Sequence, residues 1–175
     1  MDPIATFKQT FEDDNSDIEI DNLLDEDVYN YESQRRDQLA SHLAQLKKYR
    51  DAGNGSLVNY TNERDLMQTC IDSDRTIVHY KLNSFERCRI LSEHLEKLAQ
   101  KHWESKFIEI SVENAPFLVA KLDIKTLPVL IGYNHQQETF KLVGFDKLGN
   151  KDSFATADLE RLLVKSNLLH SDPLH

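Results

Sequence analysis

The 175-residue chain reads as an α/β protein, a mixed sheet with helices on both faces, preceded by an N-terminal helix and an acidic tail. Three observations predict this. From Leu57 onward, β-rich runs alternate with stretches of helical apolar spacing in the order β-α-β-α-β-α-β-β-α. The βαβ order implies a parallel pair with a right-handed crossover, and the last two strands form a hairpin. Charge is also unevenly spread. Residues 1–33 hold 11 acids against the single base Lys8, while the rest carries 19 acids and 20 bases, so the net −9 belongs to the tail.

Each element has its own warrant. Residues 1–24 show no sustained periodicity and are expected to be a solvated tail without fixed structure. Asp25-Glu-Asp27 open a stretch free of Gly and Pro that closes with Lys47, Lys48 and Arg50, a charge order that suits a helix macrodipole. Within this helix, over 25–52, Leu39, Leu43, Leu46 and Tyr49 recur at helical spacing as one narrow apolar stripe. The breaker cluster 51–56 marks a boundary. The sheet domain then runs over 57–166. Leu57–Tyr60 is a short strand, and Thr61 or Asn62 caps a helix carrying Leu66, Met67 and Cys70. Thr76–Tyr80 is a buried strand, and Asn83 or Ser84 caps a long helix bearing Ile90, Leu91, Leu95 and Leu98. Lys106–Ser111 is the next strand, and Pro116 starts a short helix. Leu127–Ile131 and Thr139–Val143 pair across Asn134–Gln137, and Thr156 caps a closing helix. Residues 167–175 are expected to be a flexible polar tail.

Composition excludes several classes. Apolar residues are 39% and charged residues 29%, leaner than an average globular chain. No apolar run approaches the ~18–20 residues of a membrane span. The start has neither a basic n-region nor an apolar h-region, so no signal peptide is expected and the cytoplasm is the default location. Nucleic-acid binding would need basic density, which the chain lacks. Cys70 and Cys88 have no partners at zinc-ligand spacing, and the seven histidines show no H-x-x-x-H or H-E-x-x-H pattern. There is no P-loop lysine after Gly53 or Gly55 and no G-x-S-x-G elbow. No catalytic residue, cofactor or metal is therefore assigned, and the chain is expected to be a monomeric binding protein rather than an enzyme.

The element order, with Pro128 at the hairpin entry, resembles a thioredoxin fold. By that resemblance the family's second redox cysteine falls on Cys88 and its nucleophile on Phe85. The buried acid falls on His79, the tryptophan before the nucleophile on Ser84, and the cis-proline segment on Thr126-Leu-Pro128. The resemblance sharpens in ordered blocks: Phe85-Glu-Arg-Cys-Arg-Ile90, Glu93-His-Leu-Glu-Lys-Leu98, Val112-Glu-Asn-Ala-Pro-Phe-Leu118, Ile124-Lys-Thr-Leu-Pro128 and Val143-Gly-Phe-Asp-Lys-Leu-Gly-Asn150. Over about residues 30–165 these resemble the phosducin-like family, in its thioredoxin-domain-containing protein 9 branch. The resemblance implies a cytosolic cofactor of the chaperonin CCT that acts in tubulin and actin folding. For some members it implies binding to G-protein βγ.

Dithiol exchange needs an attacking thiolate and a nearby resolving thiol. Phe85 supplies neither, which points away from redox catalysis. Cys88 reads as a buried or half-buried thiol, with a regulatory thiol flanked by Arg87 and Arg89 as the alternative. His79 reads as a core histidine with a hydrogen-bond partner. The stripe Leu39, Leu43, Leu46 and Tyr49 is the candidate partner-binding surface. It either covers the sheet domain, as an ordinary amphipathic helix would, or lies in a partner's groove.

Overall fold

The computed structural model describes the backbone of residues 16–171 and the side chains of residues 28–171. The acidic tail expected over 1–24 lies outside the described residues as far as residue 15. From Ser16 the backbone is helical, and this first helix, α1, spans Ser16–Asp51. It starts nine residues before the expected start at residue 25. Ile18, Ile20, Leu23 and Leu24 are compatible with helix, and nothing between Ser16 and Asp25 breaks it. The chain divides into two units at Ala44/Gln45, not at the 51–56 cluster. That cluster belongs to the second unit because it is tied down there. Asn54 Nδ2 donates to the Trp103 carbonyl at 2.8 Å, and Lys106 Nζ donates to the Ala52 carbonyl at 2.8 Å. Gly55, at φ 97°, lets the chain pass over the Trp103 indole, where a Cβ would stand 3.2 Å from Cε2.

In the second unit, β1 (Leu57–Tyr60), α2 (Glu63–Asp72), β2 (Arg75–Lys81), α3 (Glu86–Lys101) and β3 (Lys106–Ser111) are followed by α4 (Pro116–Lys121), β4 (Val129–Asn134), β5 (Gln137–Val143) and α5 (Thr156–Lys165). The sheet order is β1-β3-β2-β4-β5. β3 pairs parallel with both β1 and β2, β4 runs antiparallel to β2, and β5 runs antiparallel to β4. The hairpin turns on His135 and Gln136 with φ of 46° and 68°, the positive pair of a type I′ turn, whose twist matches the flanking strands.

Strand alternation sends successive residues to opposite faces. Ile77, Phe107 and Leu130 point to the face covered by α3 and α5, where they meet Leu91, Leu95 and Leu159. Val78, Tyr80, Ile108 and Ile131 point to the other face, with Leu66 of α2 and Leu118 of α4. Asn62 caps α2 as expected, accepting from Arg64 N–H at 3.0 Å. Two other caps differ from expectation. The N-cap of α3 is Phe85, not Asn83 or Ser84, because the turn closed by Phe85 N–H on the Leu82 carbonyl ends one residue later. The N-cap of α5 is Ala155, not Thr156. Thr156 Oγ1 instead lies 2.7 Å from His94 Nδ1, and Asp158 accepts from Ala155 N–H at 3.3 Å. The start of α4 is satisfied from a distance, since the Glu63 carboxylate accepts from Phe117 and Leu118 N–H at 3.1 and 3.2 Å.

The chain end also differs from the flexible tail expected over 167–175. Leu168 and Leu169 are buried in the core beneath α5. Their apolar area outweighs the local polarity that suggested a tail. Residues 172–175 lie outside the described residues.

Candidate functional site

The site expected from the sequence lies where β2 runs out into α3. The loop after Lys81 turns at Leu82 and delivers Phe85 as the first half-helical residue. The Phe85 carbonyl accepts from Cys88 N–H at 3.1 Å and Arg89 N–H at 3.3 Å, so it starts the helix, while its side chain is 46% exposed. An aromatic ring thus stands half in solvent at the position that the resemblance gives to the nucleophile.

One turn on, Cys88 is buried. Burial pushes its thiol pKa up, against a backbone hydrogen bond at Leu82 and the charge of Lys81, so little thiolate forms at neutral pH. The other free cysteine, Cys70, packs on the opposite face of the sheet, and burial pushes its thiol up to about 11 despite a hydrogen bond with Thr76. The two thiols thus sit on different helices, Cys70 on α2 and Cys88 on α3, and both are free.

Behind Cys88 lies a polar chain that spans two strands and a helix. His79 and Lys81 share the α3 face of β2, and Glu109 is the β3 neighbour of His79 in the parallel register. Lys81 Nζ and Glu109 Oε1 are 2.7 Å apart, with side chains only 15% and 12% exposed. Ser92 Oγ of α3 donates to the other Glu109 oxygen at 2.9 Å and lies 3.3 Å from His79 Nδ1. Burial, then the Lys81 charge, pushes His79 down to about 3, so the imidazole is neutral. A cleft of about 340 Å³ opens over this chain, lined by Leu57, Lys81, Cys88, Ser92, Glu96 and Glu109. The arrangement satisfies its own charges and holds one protonated thiol. Its thiol is shifted away from the low-pKa thiolate that exchange requires.

Pro128 enters β4 at the same end of the sheet, since Tyr80 pairs with Val129. The Leu127–Pro128 peptide bond is cis, and the Pro128 carbonyl accepts from Gly144 N–H at 2.7 Å. Leu39, Leu43, Leu46 and Tyr49 all lie on α1, but their environments differ. Leu39 and Leu43 are 53% and 64% exposed, whereas Leu46 and Tyr49 are half-buried. The Lys81–Glu109–Ser92 chain escaped sequence reasoning. Its only sequence signal is the shared parity of His79 and Lys81 on one strand, and the partner strand's register is a tertiary fact. Among the described residues no group of three or more His, Cys, Asp or Glu could hold a metal ion, and no helix is long and apolar enough to cross a membrane.

Fold and site together define a thioredoxin-fold protein whose helix after β2 starts at a half-exposed phenylalanine. Solved structures agree on the fold. Oxidised thioredoxin from Plasmodium falciparum superposes with a TM-score of 0.53 at 16% identity, covering 63% of this chain and 97% of that one. Thioredoxin f from spinach chloroplast gives 0.55 at 12% identity, covering 65% and 96%. No family model matches. Curated relatives go further. The chain is 39% identical over 156 residues to phosducin-like protein 1 of Saccharomyces cerevisiae, covering 86% of this chain and 68% of that protein. It is 38% identical over 169 residues to thioredoxin domain-containing protein plp1 of Schizosaccharomyces pombe, covering 96% and 61%. Human thioredoxin domain-containing protein 9 is 33% identical over 151 residues, covering 86% and 67%. The chain belongs to the phosducin-like family, in the group that includes thioredoxin domain-containing protein 9. It spans 61% of the length of the Schizosaccharomyces pombe relative.

Proposed function

We propose that this chain is a phosducin-like cochaperone that binds the cytosolic chaperonin CCT and modulates the folding of tubulin- and actin-type clients without a redox step. The observation that carries this reading is Phe85: a half-exposed aromatic ring stands at the nucleophile position of a domain from the phosducin-like family. A thioredoxin scaffold so altered keeps a rigid surface and gives up exchange chemistry. The exposed Leu39 and Leu43 of α1 offer apolar contact to a groove. The acids before them act on a basic partner surface over about a Debye length, ~8–10 Å.

The test is affinity purification of the tagged full chain from cytosol with quantitative mass spectrometry. CCT subunits are expected to be enriched, and to be lost when Leu39→Asp and Leu43→Asp are combined. Because both leucines are exposed, the double variant is expected to stay within ~1 kcal/mol of the parent in stability. Recovery of G-protein βγ without CCT would replace this reading.

A further inference from the structure

The end of α3 holds a charged cluster remote from Phe85. His102 follows the last helical residue, and its ring is fully buried. Nδ1 lies 2.9 Å from Glu104 Oε1, and Nε2 lies 2.7 Å from Glu160 Oε1 on α5. Ionised carboxylates only accept hydrogen bonds, so both contacts are satisfied together only when both ring nitrogens carry protons.

The two glutamates are bound elsewhere as well. Glu104, whose side chain is 2% exposed, accepts from the His170 backbone N–H at 3.0 Å. Glu160 Oε1 also accepts from Lys101 Nζ of α3 at 2.8 Å. Arg75 Nη1 of β2 lies 2.7 Å from His170 Nε2, Ser105 Oγ donates to the Leu168 carbonyl, and Asn134 Nδ2 donates to the Asn167 carbonyl at 3.3 Å. The charged groups facing His102 are thus Glu104 from the turn after α3 and Glu160 from α5, with Lys101, Arg75 and His170 one contact further out.

We propose that His102 is a proton-operated clasp: its doubly protonated ring holds the segment after α5 onto the domain, and loss of that proton lets the segment open, uncovering Leu168 and Leu169. With the proton bound, Glu104, His102, Glu160 and Lys101 sum to zero charge. Without it, a buried carboxylate is left in excess, and hydration of Glu104 relieves the imbalance by releasing the His170 amide.

Burial acts to lower the His102 pKa, but the hydrogen bonds and charges of Glu104 and Glu160 outweigh it, and the pKa stands above the ordinary histidine value. Both carboxylates are correspondingly lowered. A raised folded-state pKa gives stability that is complete below the unfolded value and is lost as pH rises through the folded value. The clasp therefore opens as pH rises through the folded value, not as it falls.

Hydrogen exchange of the full chain by NMR tests this, together with the ring titration of His102. The His102 ring is expected to titrate above a free histidine. Between the free histidine value and that point, after correction for base-catalysed exchange, opening at the His170 amide is expected to rise by up to about tenfold per pH unit, the linkage of one proton, and to level off above it. The Ile108 amide in the sheet should not share the rise. E160Q should lower the ring titration, so that the rise in opening is smaller and levels off at lower pH. H102Q should abolish the pH dependence. A His102 ring that titrates at or below the free value overturns the proposal. So does an unchanged pH dependence of the His170 amide in H102Q. If H102Q does not fold, the wild-type ring titration and E160Q decide.

Discussion

Leu168 lies across the sheet at Gly132, so closely that a Cβ on Gly132 would overlap Leu168 Cδ1 and stand 3.1 Å from both Cγ and Cδ2. Leu168 is fully buried. The glycine in β4 is there for this contact, since a strand interior otherwise disfavours it. Gly132→Ala is expected to cost about 1–3 kcal/mol by overpacking, measured by denaturant unfolding. Combined with Leu168→Ala, it should cost less than the sum of the two single changes, because the second variant makes room for the first.

The Lys81–Glu109 pair is held in a poorly hydrated place, so removing one partner leaves the other charge stranded. Glu109→Ala is expected to destabilise by about 3–5 kcal/mol, since it also takes the acceptor from Ser92 Oγ. Lys81→Met with Glu109→Leu should recover most of that loss, because two apolar side chains carry no desolvation cost there. Equal unfolding midpoints for Glu109→Ala and wild type would show that the pair contributes nothing.

His79 sets an acid limit. Its folded-state pKa of about 3 lies below the ordinary 6.5, so its contribution is fully present above pH 6.5 and is lost as pH falls toward 3. The loss from this residue is about 1.4 kcal/mol per pH unit. His79→Gln removes the titrating group, so its stability should fall less steeply than wild type between pH 6.5 and 4.5. Parallel curves from chemical denaturation at four pH values would contradict this. His102 works in the opposite direction, since its pKa is raised and its contribution is lost as pH rises.

The thiols set a chemical limit. Insulin reduction by the wild-type chain is expected to equal that of a Cys88→Ser control, because Cys88 is buried and its pKa is raised. Phe85→Cys places a second thiol at the helix start, but a neutral His79 stands where thioredoxins carry an acid, so only a weak gain is expected. Turnover in the wild type above the Cys88→Ser control would overturn the non-redox reading.

The sequence by itself determined the element types and their order. Strands such as Thr76–Tyr80 and Lys106–Ser111 carry β-branched and aromatic runs, and α3 carries its leucines at helical spacing. These are local signals that each segment obeys before it packs. The order of elements points to a parallel pair and a hairpin, both present, while the second parallel pairing, of β1 with β3, is added by the tertiary structure; the ordered blocks around Cys88 and Pro128 carry the family. Phe85 was legible as a departure for the same reason, because a residue's identity needs no coordinates.

Tertiary structure decided what depends on distance. His102 meets Glu160 across 58 residues, and Lys81 meets Glu109 across 28, which no spacing rule connects. It decided the caps: Phe85 and Ala155 displaced the residues with better side chains because the adjoining turns set where helical dihedrals begin. It also decided the fate of the chain end. Leu168 and Leu169 follow a polar stretch that reads as a tail, yet both side chains are buried in the core with the leucines of α5. Burial is a property of the whole fold, and a local reading of polarity has no access to it.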